Sequence, residues 1–456
     1  MIPVASKEQA PADPEVGVAR LGNGVRVVTL RLAHLDSVSV SVFVRTGSRN
    51  ETRRTNGISH FVEHMAFKGT HERSCQQINL DAERLGAEVN AHTDKDHTAF
   101  HMHGMARDAG QLLRMLADVV QQSTFPEAEL ERERQVILQE YAEDEDDVLS
   151  TAYKVFDRLC FGAHAMARPV IGTRGNIERF TRADLLAHVQ SQYSGANVVV
   201  GVAGNIDPDS IVQQAEAAFG RMVQGEENLV EAPAYLGGLA MRRQAGSSQT
   251  HVVLGFPLPG LRDDYHAGVL AAALFGEGMS SPLLDELRER RGLVYYAACS
   301  ADVLDLCGQF VIEASLAPEN VPEFAVQVAR LLAAHADSTD PVGLARARNQ
   351  IAVRRLRDAE RTSMRLEAAA QDLFVYGRVR SRAELAAHVE AVSAAQVREA
   401  FAGMLAAGAS VAIAGKVPRG VEDGFLGLVA GARRPPARAR AASSATHRQP
   451  KERQTP

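Results

Sequence analysis

The sequence predicts an α+β protein of two homologous domains, each a mostly antiparallel sheet with helices packed against one face. Three observations carry that prediction. The chain's 456 residues, 45% of them hydrophobic, leave room for two to four domains of ordinary globular composition. Segments that alternate apolar and polar residues, such as "GVRVVTLR" and "VSVSVFVRTGS", stand among longer runs of helical periodicity. The first half also recurs in degenerate form: "ERFTRADLLAHVQ…VVVGVAGNI" aligns with "EAVSAAQVREAFA…SVAIAGKV", which places Thr181 on Ser393 and Gly204 on Gly415, offsets of 212 and 211 residues.

Residues 1–14 read as a loose polar arm. The first domain, 15–225, opens with the two strands and passes through "RNETRRTNG" into a helix started by Asn56-Gly57 and stopped by Gly69. A second helix, "QQINLDAERLG", ends at Gly86, and strands around "AEVNAHT" and "HTAFHMH" flank the turn-prone "DKD". Helices follow over 108–122 and 126–145, with the acidic cluster Glu143 to Asp147 expected to end the latter in solvent. "FTRADLLAHVQSQYSGANVVVGVAGNID" reads as a capped helix and a buried strand. The pattern fades over 226–243, read as a linker, before a second domain at 244–430. The stretch 431–456, rich in Arg, Pro, Ala and Ser, is expected to be disordered.

Composition narrows the function classes. The net charge is −6, and because the last 26 residues carry seven Arg or Lys and one Glu, the folded body is more acidic still. Nucleic acid is therefore not expected as a partner. No apolar run approaches the roughly 18 residues of a membrane span. The opening "MIPVASKEQAPADPE" has neither the apolar core of a signal peptide nor the basic character of a transit peptide, so a cytoplasmic protein is expected. Cys75, Cys160, Cys299 and Cys307 form no Cys-x-x-Cys pair and read as small, mostly buried residues.

The chemistry concentrates in His60-Phe61-Val62-Glu63-His64. On a helix, His60, Glu63, His64 and Phe67 share one face, while Ile58, Phe61, Val62 and Met65 share the opposite one. Two imidazoles one turn apart can converge on a metal ion with Glu63 beside it. Zinc held this way lowers the pKa of a bound water to about 7, and a neighbouring carboxylate takes the proton as the water attacks a carbonyl. The helix in "TFPEAELERERQVILQEYAEDEDD" offers a third ligand, since Glu133 and Glu140, seven residues apart, point the same way. The competing reading is plain: surface histidines and solvated glutamates.

The reversed motif, followed at this interval by a helix with two Glu seven apart, resembles the inverzincin peptidases of the pitrilysin and mitochondrial processing peptidase family. "GAEVNAHTDKDHTAFH", "RPVIGTRGNIERFTRADLL", "VVVGVAGNID" and "LRERRGLVYYA" extend the resemblance over roughly residues 15–430. It implies that His60, His64 and Glu140 ligate one zinc per chain, that Glu63 is the general base, and that Glu133 is a carboxylate behind a ligand. It implies also that a peptide substrate adds as a strand at Asn90 and Ala91, and that Arg288 and Tyr295 hold the substrate carbonyl and steady the oxyanion. His92, His97, His101 and His103 are not counted as ligands, because two His and one Glu complete a catalytic site that keeps its fourth position open. At the offsets of the repeat, His60 and His64 map to Ala272 and Gly276, and Glu133 and Glu140 to Ala347 and Arg354, so the second half lacks the metal site. One chain is then half of a clam-shell peptidase. A homodimer is expected, each zinc site completed by the other subunit's Arg288 and Tyr295; a zinc-less paralogue as partner, or a non-catalytic core subunit, are the alternatives.

Overall fold

The computed structural model describes residues 15–431, so the arm and the tail read from sequence lie outside the described residues, apart from Gly431. Two sheets organise the chain. The first comprises β1 (Glu15–Arg20), β2 (Arg26–Arg31), β3 (Ser37–Val44), β4 (Glu88–Thr93), β5 (Thr98–Met105) and β6 (Val198–Gly204), in the order β1-β2-β6-β3-β5-β4. The second comprises β7 (Gly238–Arg243), β8 (Thr250–Leu258), β9 (Val294–Val303), β10 (Gly308–Leu316) and β11 (Ser410–Gly415), in the order β7-β11-β8-β10-β9. Each has one parallel pair, β2 with β6 and β7 with β11, and is otherwise antiparallel. Without β1, the two orders match strand for strand. The repeat extends to the caps: Thr181 and Ser393 open helices Arg182–Gln192 and Ala394–Ala407 with capping boxes to Asp184 and Gln396.

Both sheets are apolar on both faces. Val27, Val40, Val42, Val200 and Val202 pack on helices of their own half, including Ile58–Ala66 and Glu127–Asp146. The neighbouring Val28, Phe43, Val199 and Ala203 point the other way, as the two-residue period of a strand requires, and meet Leu366, Ala369 and Leu373 of helix Thr362–Tyr376, from the second half. The exchange is reciprocal. Leu254, Phe256 and Ile312 face their own helices, while Val253, Val311 and Ala412 are covered by Ala152, Phe156 and Cys160 of helix Val148–Phe161, from the first half.

A buried ionic group ties the seam. Arg49 bridges Asp96 (2.6 Å) and Asp305 (3.2 Å), and Asp305 also pairs with Arg45 (2.9 Å) and Arg262 (2.7 Å). Burial would raise the Asp305 pKa; Arg49, Arg262 and Arg45 overcome it and hold it below the usual carboxylate range.

Two readings need correction. Of the linker 226–243, Gly238–Arg243 is strand β7, whose weak alternation hid it. The part before it is pinned, Asn228 Nδ2 donating to the carbonyls of Arg45 and Gln192 (both 3.0 Å). The acidic cluster also does more than end a helix: Asp147 caps the exchanged helix by accepting the N–H groups of Leu149 and Ser150, and Asp144 and Glu145 pair with Lys154. Among the described residues no helix is long and apolar enough to cross a membrane.

If the exchanged helix holds the two halves together, Phe156→Ala should cost about 3–5 kcal/mol. Urea unfolding followed on both halves should show one transition, shifted to lower denaturant.

Candidate metal centre and active site

The helix Ile58–Ala66 is placed from its N-terminus. Glu51, buried in the preceding loop, accepts the N–H groups of Gly57 (2.8 Å) and Ser59 (2.9 Å), so a carboxylate satisfies the first turn at the positive end of the helix dipole. Gly57 has φ of 98°, and a Cβ there would meet Ile171 O at 2.8 Å, so only glycine fits the turn. Ile58, Ser59, Phe61, Val62, Met65 and Ala66 are buried, and the three residues of the helix left accessible are His60, Glu63 and His64. Opposite runs Glu127–Asp146, whose buried stripe of Leu130, Glu133 and Ile137 continues to the half-exposed Glu140.

Three donors converge. Glu140 Oε2 lies 3.7 Å from His60 Nε2 and 3.4 Å from His64 Nε2. Donors at the corners of a tetrahedron about zinc stand roughly 3.3 Å apart, so the spacing suits an ion. Burial, then the neighbouring His64, push the His60 pKa down to about 4, keeping the imidazole neutral as a ligand must be. Its Nδ1, the nitrogen not facing Glu140, is buried without a hydrogen-bond partner. The donor set fits zinc.

Groups behind the donors are arranged as well. His64 Nδ1 lies 3.2 Å from Glu133 Oε2; an ionised carboxylate only accepts, so Nδ1 carries the proton and Nε2 turns a lone pair toward Glu140. Lys68 in turn holds Glu133 Oε1 at 2.6 Å. Glu63 Oε2 accepts the Thr93 hydroxyl at 2.8 Å, and burial raises its pKa, with the Thr93 bond opposing. Thr93, Lys68 and Glu51 escaped the sequence reading. Lys68 stands four residues after His64, in the turn beyond the helix end at Ala66, and Glu51 lies six residues before Gly57, so both are near in sequence to what they serve; Thr93 acts across the fold and left no local signal.

The remaining predicted residues are spread out. Asn90 is exposed and Ala91 half-buried on β4, the free edge of the first sheet. Arg288 lies in the helical turn Asp285–Arg290 and pairs with its neighbour Glu289 at 4.0 Å. Tyr295 is 79% exposed on β9, the free edge of the second sheet. Neither makes a hydrogen bond or ion pair with the donors among the described residues. His101 and His103 bond the hydroxyls of Ser41 and Ser39 (2.8 and 2.6 Å). In the second half, Ala272 and Ala347 are buried, and Arg354 pairs with Glu277 at 2.7 Å.

A duplicated α+β frame, with His-x-x-Glu-His on one helix and a carboxylate from another, is the architecture of the inverted zinc-peptidase class. The family model described as "Insulinase (Peptidase family M16)" matches residues 26–174, and that of the "Peptidase M16 inactive domain" matches 179–351. An uncharacterized zinc protease of Rickettsia bellii is 30% identical over 401 residues, 87% of this chain and 97% of that protein. A protease from Helicobacter pylori superposes with a TM-score of 0.80 at 20% identity, covering 88% of this chain and 99% of that one. A chain of Complex III2 from Candida albicans gives 0.80 at 17%, covering 91% and 100%. The chain belongs to peptidase family M16.

Removing the carboxylate behind His64 tests this arrangement. Glu133→Gln should weaken zinc binding about 10- to 100-fold, measured by chelator competition.

Proposed function

We propose that the protein is a zinc-dependent endopeptidase acting on peptides or unfolded protein segments. The observation that carries the reading is the convergence of His60, His64 and Glu140 with Glu63 held beside them. The names of relatives as zinc proteases agree with it. Zinc, when bound, supplies the Lewis acidity that acidifies a water and polarises a carbonyl.

The chain's own residues do the rest. Glu63, made more basic by burial, takes the water proton and later passes it to the leaving amine. Thr93 fixes one of its oxygens, leaving the other for the proton. The free edge of β4 at Asn90 and Ala91 offers backbone groups to an extended peptide, a mode of binding with loose sequence preference. Arg288 and Tyr295, exposed on the second half, are suited to hold the carbonyl oxygen of a substrate bound to another subunit. We therefore favour a homodimer with two composite sites, its chamber admitting flexible chains and excluding folded ones. A non-catalytic core subunit would have no use for three converging donors and a base.

Glu63→Gln should keep its zinc and lose about 10²- to 10⁴-fold in hydrolysis of an internally quenched peptide; a variant that cleaves like wild type removes Glu63 from the reaction. Mixing Glu63→Gln with Arg288→Ala subunits should restore activity above either alone, and failure to do so counts against the composite site.

A further inference from the structure

Beside the first cluster stands another of the same donor types, at the seam between the halves. Its members are His92 on β4, His97 in the turn before β5, and Glu367 on the exchanged helix Thr362–Tyr376. Glu367 Oε1 lies 3.1 Å from His92 Nε2 and 2.6 Å from His97 Nε2. Both imidazoles are held from behind: His97 Nδ1 is 3.2 Å from Asp94 Oδ2, and His92 Nδ1 is 3.2 Å from His101 Nε2. Partners on the outer nitrogens thus aim both Nε2 atoms at one carboxylate oxygen, the way proteins orient metal-binding imidazoles.

The group draws positive charge. Burial alone would lower the His97 pKa, yet Asp94 and Glu367 push it up to about 9. Glu367 raises His92 as well. The surrounding charges are Asp94 and Asp96 in the turn, the latter engaged by Arg49, with His101 on β5 and Glu63 on the histidine helix. Protons supply the compensation in the geometry described, and a divalent ion would supply more of it from one point. The 2.6 Å spacing is tighter than the roughly 3.3 Å of tetrahedral donors, so Glu367 must draw back from His97 by about 0.7 Å, within reach of a flexible side chain.

We propose that His92, His97 and Glu367 form a second divalent-cation site, of zinc-like preference given its imidazole donors, which locks the second half's helix onto the strand beside the active site. Binding displaces protons from the two imidazoles, so it should strengthen as pH rises.

Equilibrium dialysis of the full chain against zinc at about pH 8, with bound metal counted, tests this. Wild type should bind two ions per chain, Glu367→Gln one, the double variant His60→Ala/His64→Ala one, and all three substitutions together none. His92→Gln, at a more exposed position, should repeat the Glu367→Gln result and guards against misfolding. A wild-type count that neither Glu367→Gln nor His92→Gln lowers overturns the proposal and leaves the cluster to protons. A single ion that survives His60→Ala/His64→Ala but not Glu367→Gln would uphold it and would instead remove the first site's metal from the proposed function.

Discussion

Each sheet presents two apolar faces, and one face of each is covered by a helix that belongs, in sequence, to the other half. Apolar area left in water costs about 25 cal/mol per Å², so neither half can keep its sheet without the other's helix. The halves are homologous, yet they are not independent. The ionic group of Arg45, Arg49, Asp96, Asp305 and Arg262 follows from this constraint, since it lies where the two covered faces meet. Buried pairs of this kind add little net stability, but breaking one leaves an uncompensated charge, so they penalise any other register of the halves.

Duplication with divergence explains why only one half carries the His-x-x-Glu-His donors. The helix Ile58–Ala66 buries everything except His60, Glu63 and His64, leaving a polar opening toward Glu140. Its counterpart His266–Gly276 buries nine of its eleven residues. At Gly276, the position matching His64, even a Cβ would approach Cys299 Cβ to 2.2 Å, so no imidazole could stand there without moving the strand. The second half used the same helix to fill its core.

The parts of this architecture that were legible are those with a local period. The face of the histidine helix, the seven-residue spacing of Glu133 and Glu140, and the matching caps at Thr181 and Ser393 follow from helical geometry acting on neighbouring residues. What could not be read depends on distance. Helix Val148–Phe161 has an apolar stripe, but nothing in that stripe says which sheet it covers. Strand β7 pairs at an edge and none of its six residues is fully buried, so it carries no apolar alternation. Thr93 is an ordinary strand residue until folding brings it to the helix it serves.

Strand β4 joins these themes, because its two-residue period divides the work between faces. Ala91 and Thr93 share one side, where Ala91 packs on the first half's core and the Thr93 hydroxyl holds Glu63. Asn90 and His92 share the other, where His92 reaches Glu367 of the exchanged helix. The backbone edge remains free. A shift of this strand by one residue would exchange its faces and lose both the hold on Glu63 and the tie to the second half. The turn that fixes its register contains His97, which is itself bound to Glu367. The helix exchanged between the halves thus also meets the strand that holds Glu63: His92 bonds Glu367 across the seam while Thr93, next to it, bonds Glu63.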